Sequence, residues 1–160
     1  MRIGQSTDIH AFTEGRPLIL GGVTIDHPLG LLGHSDADVL LHAICEAIIG
    51  AMGLGDIGKH FPDTDPAYKG ISSMILLMKT WQLMDDEDYQ IVNLDSLILI
   101  EKPKIAPYIE DMKKNISMAL HCKTSQVNVK ATRGEKLGFI GRQEGVMAQA
   151  IVLLERKSQK

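Results

Sequence analysis

Asp8 and His10 stand one residue apart in the stretch "STDIHAF", residues 6–12. On an extended strand, positions i and i+2 share a face, so this spacing sets a carboxylate beside an imidazole. Such a pair can be half of a metal site, an acid/base couple or an ordinary ion pair. Further on, "HSDADVLLH" adds His34 and His42. With His42 turned inward, Asp8, His10 and His42 form a three-ligand set with one position open. That is the arrangement of a catalytic zinc, whereas structural zinc has four closed ligands rich in Cys. Taken singly, His42 suits a hydrogen-bonded core histidine at least as well, and D-x-H is common by chance.

Two other stretches could hold anions. The segment "KATRGEKLGFIGR", 130–142, carries Lys130, Arg133, Lys136 and Arg142 against Glu135 alone. Its glycines leave backbone N–H groups free to approach a phosphate. "LGFIG" also resembles an RNA-recognition strand, without the aromatics and basic charge that such a strand needs. "IEKPKIAP", 100–107, leaves a strand through two prolines and two lysines, a fit for the rim of a base or phosphate pocket or for a plain turn. The segment 56–70, with Asp56, Asp63 and Asp65 among prolines, reads as a long loop. Long loops in compact domains often carry function, although a solvated connection has the same composition.

These groups need a scaffold. Residues 2–12 read as a strand, and "PLILGGVTID", 17–26, as a hairpin turning at Gly21-Gly22. A helix is predicted over about 36–52, with Ser35 and Asp38 resembling a capping box and an apolar face from Val39 to Ile48. Its N-terminus would lie beside His34 and could help to orient an anion. Further elements are a helix over 72–84, a strand over 89–103, a helix from 106 with Pro107 in its first turn, and a strand at "SQVNVKAT". "RGEKLGFIGRQEG" reads as a loop, and the closing "VMAQAIVLLERK" as a strand. Alternation of this kind indicates an α/β (α+β) fold, one mixed sheet with helices on one face. Aromatic content of 4% offers no cap for the other face, so association through the sheet is the natural remedy.

The 160 residues suit a single domain, 1–160. A net charge of −3 argues against a general nucleic-acid or membrane-surface binder. Cys45 and Cys122 are too few and too far apart for a disulfide framework. With no signal-like N-terminus and no apolar run of about 20 residues, the expectation is a cytoplasmic protein.

The four stretches "DIHAF", "LGHSDADVLLHA", "GDIGKHFPDTDPAYKG" and "VNVKAT" with "EKLGFIGR" occur together, in order, along essentially the whole chain. In this the chain closely resembles the 2-C-methyl-D-erythritol 2,4-cyclodiphosphate synthases of the non-mevalonate isoprenoid pathway. The resemblance implies a homotrimer with active sites between subunits. It implies conversion of 4-diphosphocytidyl-2-C-methyl-D-erythritol 2-phosphate into the cyclic diphosphate with release of CMP. Asp8, His10 and His42 then match zinc ligands, with Ile9 between them. His34 and Ser35 match positions holding the phosphate end of the methylerythritol, with His34 assisting the transition state. Asp56, Ile57 and Gly58, with Phe61, Pro62, Asp63, Thr64 and Asp65, match contacts to the methylerythritol part. Ile100, Glu101, Lys102, Pro103, Lys104, Ile105 and Ala106 match a cytidine pocket supplied by the neighbouring subunit. Thr132 and Glu135 match diphosphate and magnesium (or manganese) contacts, with Gly134 between Arg133 and Glu135. Phe139 and Arg142 match positions near the trimer axis and the substrate.

At one position the chain departs from the pattern. The family usually has a second hydroxyl residue after Lys-Ala-Thr, where this chain has Arg133. An arginine can offer phosphate a bidentate charged contact, or it can crowd the site or turn away into solvent. Two rival readings use the same residues: a zinc phosphohydrolase with water as nucleophile, and a trimeric nucleotide-binding module that has lost turnover.

Overall fold

The computed structural model describes residues 1–157. Among these residues, seven strands fall into two sheets. β1 (Arg2–Thr13), β4 (Gly30–Leu31), β5 (Tyr89–Leu99), β6 (Val127–Thr132) and β7 (Gly145–Arg156) form a five-stranded sheet in the order β4-β1-β7-β5-β6. β7 runs antiparallel to both β1 and β5, while β5 and β6 are parallel. The C-terminal ends of β1, β5 and β6 therefore open on one edge of the sheet. β2 (Leu18–Leu20) and β3 (Val23–Ile25) pair as a separate hairpin. Gly21 and Gly22 at its turn both have positive φ, 59° and 71°, the geometry a two-residue type I′ turn requires.

Period-two alternation divides the sheet's faces. Along β7, Val146, Ala148, Ala150, Val152 and Leu154 are buried. Along β1, Gly4 and Ser6 are buried, with half-buried Asp8 and His10 following on the same face. Helix α1 (Val39–Met52) lies against β1 and β7. The approach is close: a Cβ on Gly4 would sit 1.9 Å from the Ala47 carbonyl oxygen. α3 (Ser73–Asp86) contacts α1, α4 (Ile109–Ala119) and β5, and α4 packs on β6. Each fully buried Leu or Ile in this layer contributes about 1.5–3 kcal/mol of burial. The opposite face carries Ile3, Ile9 and Ile151, all exposed.

The structure shortens or splits several elements. α1 starts at Val39 instead of 36 because Ala37 takes a left-handed φ of 60°. Asp38 itself is the N-cap, accepting from the Leu41 N–H. The carboxylate thus occupies the helix N-terminus that the sequence offered to an anion beside His34. The segment 56–70 holds α2 (Ile57–His60), capped by Asp56, and a 3-10 turn, Pro66–Tyr68, capped by Asp65. β5 ends at Leu99, and a 3-10 turn, Ala106–Tyr108, precedes α4. The glycine-rich loop contains α5 (Gly138–Gly141), and the closing segment, read as a strand, is β7. No helix among the described residues is long and apolar enough to cross a membrane.

Candidate metal centre and adjoining pockets

β1 brings Asp8 and His10 to one face, and α1 carries His42 against them from its first turn. Asp8 Oδ2 lies 3.0 Å from His10 Nε2 and 3.2 Å from His42 Nδ1, and the two nitrogens are 3.2 Å apart. Four ligands at zinc–nitrogen distances would have edges of about 3.3 Å, so this triangle fits one face of a tetrahedral site. Among the described residues this trio is the group of His, Cys and acidic side chains able to hold a metal ion.

The tautomer of His10 also suits a ligand. Its Nδ1–H donates to the Leu32 carbonyl at 2.5 Å, which leaves the Nε2 lone pair facing the triangle, as metal-bound imidazoles require. Burial opposes ionisation of Asp8, but with no metal bound and the imidazoles protonated, hydrogen bonds from His10 and His42, reinforced by their charge, hold its carboxyl well below the ordinary range. Burial likewise opposes charge on His10, and the Asp8 carboxylate and Leu32 carbonyl together raise its pKa above the usual value.

The triad opens into a cavity of about 350 Å³ walled by His34, Ser35, Ile57, Gly58, Phe61, Asp63 and Tyr68, among others. Arg16 steadies the loop entering it: its guanidinium donates to the carbonyls of Gly33, at 2.6 Å, and Ser35. Phe61 and Tyr68 meet edge to face, with centroids 5.6 Å apart. Asp56 and Asp65 are spent on helix caps, and Pro62 and Thr64 do not line the cavity. Ile9 sits on the opposite sheet face, and its N–H donates to Asp8 Oδ1 at 2.9 Å.

A second cavity, about 530 Å³, is lined by Ile100 through Ala106 with Ala131, Thr132 and Arg133. It shares no lining residue with the first. Both lie toward the same sheet edge, but β7 and β5 separate β1 from β6, roughly 14 Å at ordinary strand spacing. One chain thus brings the triad, His34 and Ser35 together, and the 100–106 segment with Thr132 and Arg133, as two separate groups. Arg133 and Glu135 are exposed and pair at 3.7 Å, while Glu101 accepts the Gly134 N–H at 3.0 Å. Arg142 is engaged by Glu144 at 2.7 and 3.1 Å, and Phe139 is half-buried on α5.

Sequence reasoning missed Asp36, Ser73, Tyr68 and Arg16. Ser73 touches His42 from the start of α3, at 2.9 Å. The Ser72-Ser73 pair was readable only as a helix start, because its contact with His42 spans 31 residues.

The YgbB family model matches residues 1–155. The 2-C-methyl-D-erythritol 2,4-cyclodiphosphate synthase of Bacillus cereus is 58% identical over 156 residues, covering 98% of this chain and 99% of its own. Among solved structures, IspF of Plasmodium falciparum in complex with CDP superposes with a TM-score of 0.86 at 38% identity, covering 98% of this chain and 97% of its own. The bifunctional IspDF from Campylobacter jejuni superposes with a TM-score of 0.94 at 42% identity over 98% of this chain, which spans 42% of that longer protein. Fold, triad and relatives together define an α/β enzyme of the lyase class with a triad able to hold a metal. The chain belongs to the YgbB family, that of the 2-C-methyl-D-erythritol 2,4-cyclodiphosphate synthases.

Proposed function

We propose that this chain converts 4-diphosphocytidyl-2-C-methyl-D-erythritol 2-phosphate into 2-C-methyl-D-erythritol 2,4-cyclodiphosphate and CMP, in the cytoplasm, as a homotrimer. The observation that carries the reading is the convergence of Asp8 Oδ2, His10 Nε2 and His42 Nδ1 at 3.0–3.2 Å beside a cavity walled by His34 and Ser35.

The 2-phosphate attacks the β-phosphorus of its own diphosphate, a P–O bond forms as the bond to CMP breaks, and CMP departs with the electron pair. A phosphate is already ionised near neutral pH, so no general base is needed. The barrier is one of bringing anion to anion in the right orientation. Zinc held by Asp8, His10 and His42, with magnesium at Glu135, supplies Lewis-acid polarisation and charge neutralisation when bound. His34 and Ser35 hold the attacking phosphate end. Asp56, Ile57, Gly58 and the Phe61–Asp65 stretch surround the methylerythritol, the apolar wall of Ile57 and Phe61 excluding water. Ile100 through Ala106 receive the cytidine, with Lys102 and Lys104 as local cations on a net negative chain. Thr132, Arg133 and Gly134 face the diphosphate, where the Arg133 guanidinium exchanges Glu135 for a phosphate oxygen. Phe139 and Arg142 close the site toward the trimer axis.

The trimer reading is supported by the separation of the two cavities and by the exposed isoleucines on the helix-free sheet face. Both point to a complete site built from the triad cavity of one subunit and the 100–106 cavity of the next.

Incubating the purified chain with this substrate, zinc and magnesium, and following phosphorus by NMR, tests the reaction. The expected products are the cyclic diphosphate and CMP. A linear product would make the chain a phosphohydrolase, and absence of CMP would make it a binding module.

A further inference from the structure

The metal-facing state of His42 depends on which of its nitrogens carries the proton, and the structure contains a chain of groups that decides this. His42 Nε2 lies 2.9 Å from Ser73 Oγ and 3.0 Å from Ser35 Oγ. Ser73 is fully buried, and its hydroxyl also meets Asp36 Oδ1. The other Asp36 oxygen accepts the Ser73 N–H at 2.9 Å. A hydroxyl has one proton and a carboxylate has none to give. The Ser73 O–H must therefore donate to Asp36, leaving only lone pairs for His42. Toward Ser73, His42 can only donate from Nε2, which leaves its Nδ1 lone pair for a metal. Without a metal, Asp8 Oδ2, 3.2 Å from Nδ1 and likewise only an acceptor, competes for the same proton. Ser35 cannot decide the matter alone. Its Oγ accepts the Ala37 N–H at 3.1 Å, but its proton is not committed, so it can either donate to Nε2 or accept from it.

We infer that Asp36 is a positioning residue for the metal centre, acting through Ser73 to hold His42 in the one tautomer that leaves Nδ1 for a metal. The inference rests on the metal-binding reading of the triad. It adds an outer carboxylate two bonds removed from the ligand, joined to it by a serine from a different helix. Because Asp36 grips both polar atoms of Ser73, the N-terminus of α3 and the metal ligand of α1 are aligned by the same carboxylate.

The test measures zinc affinity by chelator competition for wild type, Ser73→Ala, Asp36→Asn, the double variant, Ser35→Ala and His42→Ala. Outer-sphere partners of metal-bound histidines are worth about 10–100-fold in affinity, and a loss in that range is expected for Ser73→Ala and Asp36→Asn. The double variant should lose little more than Ser73→Ala alone, since the Ser73 hydroxyl is the contact that joins Asp36 to His42. Apart from the Ser73 N–H, the other contact of the Asp36 carboxylate is the Asp38 N–H at 3.2 Å. Ser35→Ala should stay within about threefold, well below that range. Imidazole nitrogen NMR of the zinc-loaded protein should show a His42 Nε2–H protected from solvent exchange in wild type and exchanging freely in Ser73→Ala, a local signature that general loosening of the fold would not confine to His42. If Ser73→Ala does not fold, the nearly isosteric Asp36→Asn carries the same comparison. Wild-type affinity in both variants, additive losses in the double variant, or an equally protected His42 Nε2–H in Ser73→Ala would each overturn the inference. If His42→Ala keeps full affinity, the metal-binding reading itself fails instead.

Discussion

Asp38 is fully buried, and its carboxylate meets three backbone N–H groups: Leu41 at 3.1 Å, Gly21 at 3.0 Å and Gly22 at 2.7 Å. One side chain thus caps α1 and fastens the β2–β3 turn to it. Asn in its place has a single acceptor oxygen and turns an NH₂ toward a backbone N–H. Asp38→Asn is expected to cost about 1–3 kcal/mol, read by urea denaturation of metal-free protein. Burial, partly offset by the three N–H groups and reinforced by the nearby charge of Asp36, pushes the Asp38 carboxyl up to about 6 from 3.8. Between those values the native chain binds more protons than the unfolded one, so the stability contributed by Asp38 falls as pH rises through that window. The advantage of wild type over Asp38→Asn should be smaller at about pH 7 than at about pH 4. An advantage that grows instead would show the carboxyl to be held low by its N–H partners.

β1 and α1 are the two elements whose spacing sets the metal triangle, since one carries Asp8 and His10 and the other His42. Gly4 keeps them close. A methyl group there meets the Ala47 carbonyl and Ala51 Cβ, at 1.9 and 2.8 Å, and α1 must lift off the sheet to admit it. Gly4→Ala is expected to lower stability by about 1–3 kcal/mol. It should also weaken zinc binding although no ligand is altered, as chelator competition would show. Unchanged affinity would mean that the triangle tolerates a wider gap. This coupling was hidden in the sequence, whereas the pairing of Asp8 with His10 was legible because period two is local. So were the strand nature of 145–156 and the helix following Ser72. The start of α1 was misread because Ser35 and Asp38 imitate a capping box. Nothing local shows that Ala37 turns left-handed or that Ser35 faces His42. Asp56 and Asp65, which the resemblance matches to substrate contacts, also cap α2 and the Pro66–Tyr68 turn, a use that their spacing to Lys59 and Ala67 could have suggested. Asp36, Ser73 and Arg16 escaped notice because each acts on a partner far along the chain.

At the scale of the whole molecule, the helix-free sheet face is the surface on which the proposed trimer would rest. Ile3, Ile9 and Ile151 are 72%, 53% and 47% exposed, more apolar surface than a solvated sheet face needs. Ile151→Glu places a charge at its centre, beside Gln5 of β1 and Asp95 of β5. Light scattering should find wild type at three times the chain mass and Ile151→Glu at one. CMP release should fall with it, since in the proposed trimer each complete site draws on two subunits. A variant that stays trimeric, or an active monomer, would refute that arrangement. The strand order has a separate consequence, for synthesis. β7, residues 145–156, is the central strand and follows every other strand in the chain. β1 reaches its long partner only across more than a hundred residues of intervening chain, and the sheet is divided until that strand emerges. Non-local closure of this kind folds slowly and leaves strand edges open meanwhile. On the ribosome, the half of the chain that carries the metal ligands therefore waits with a bare edge. The interval before β7 arrives is when its unpaired strand edges are most open to mispairing.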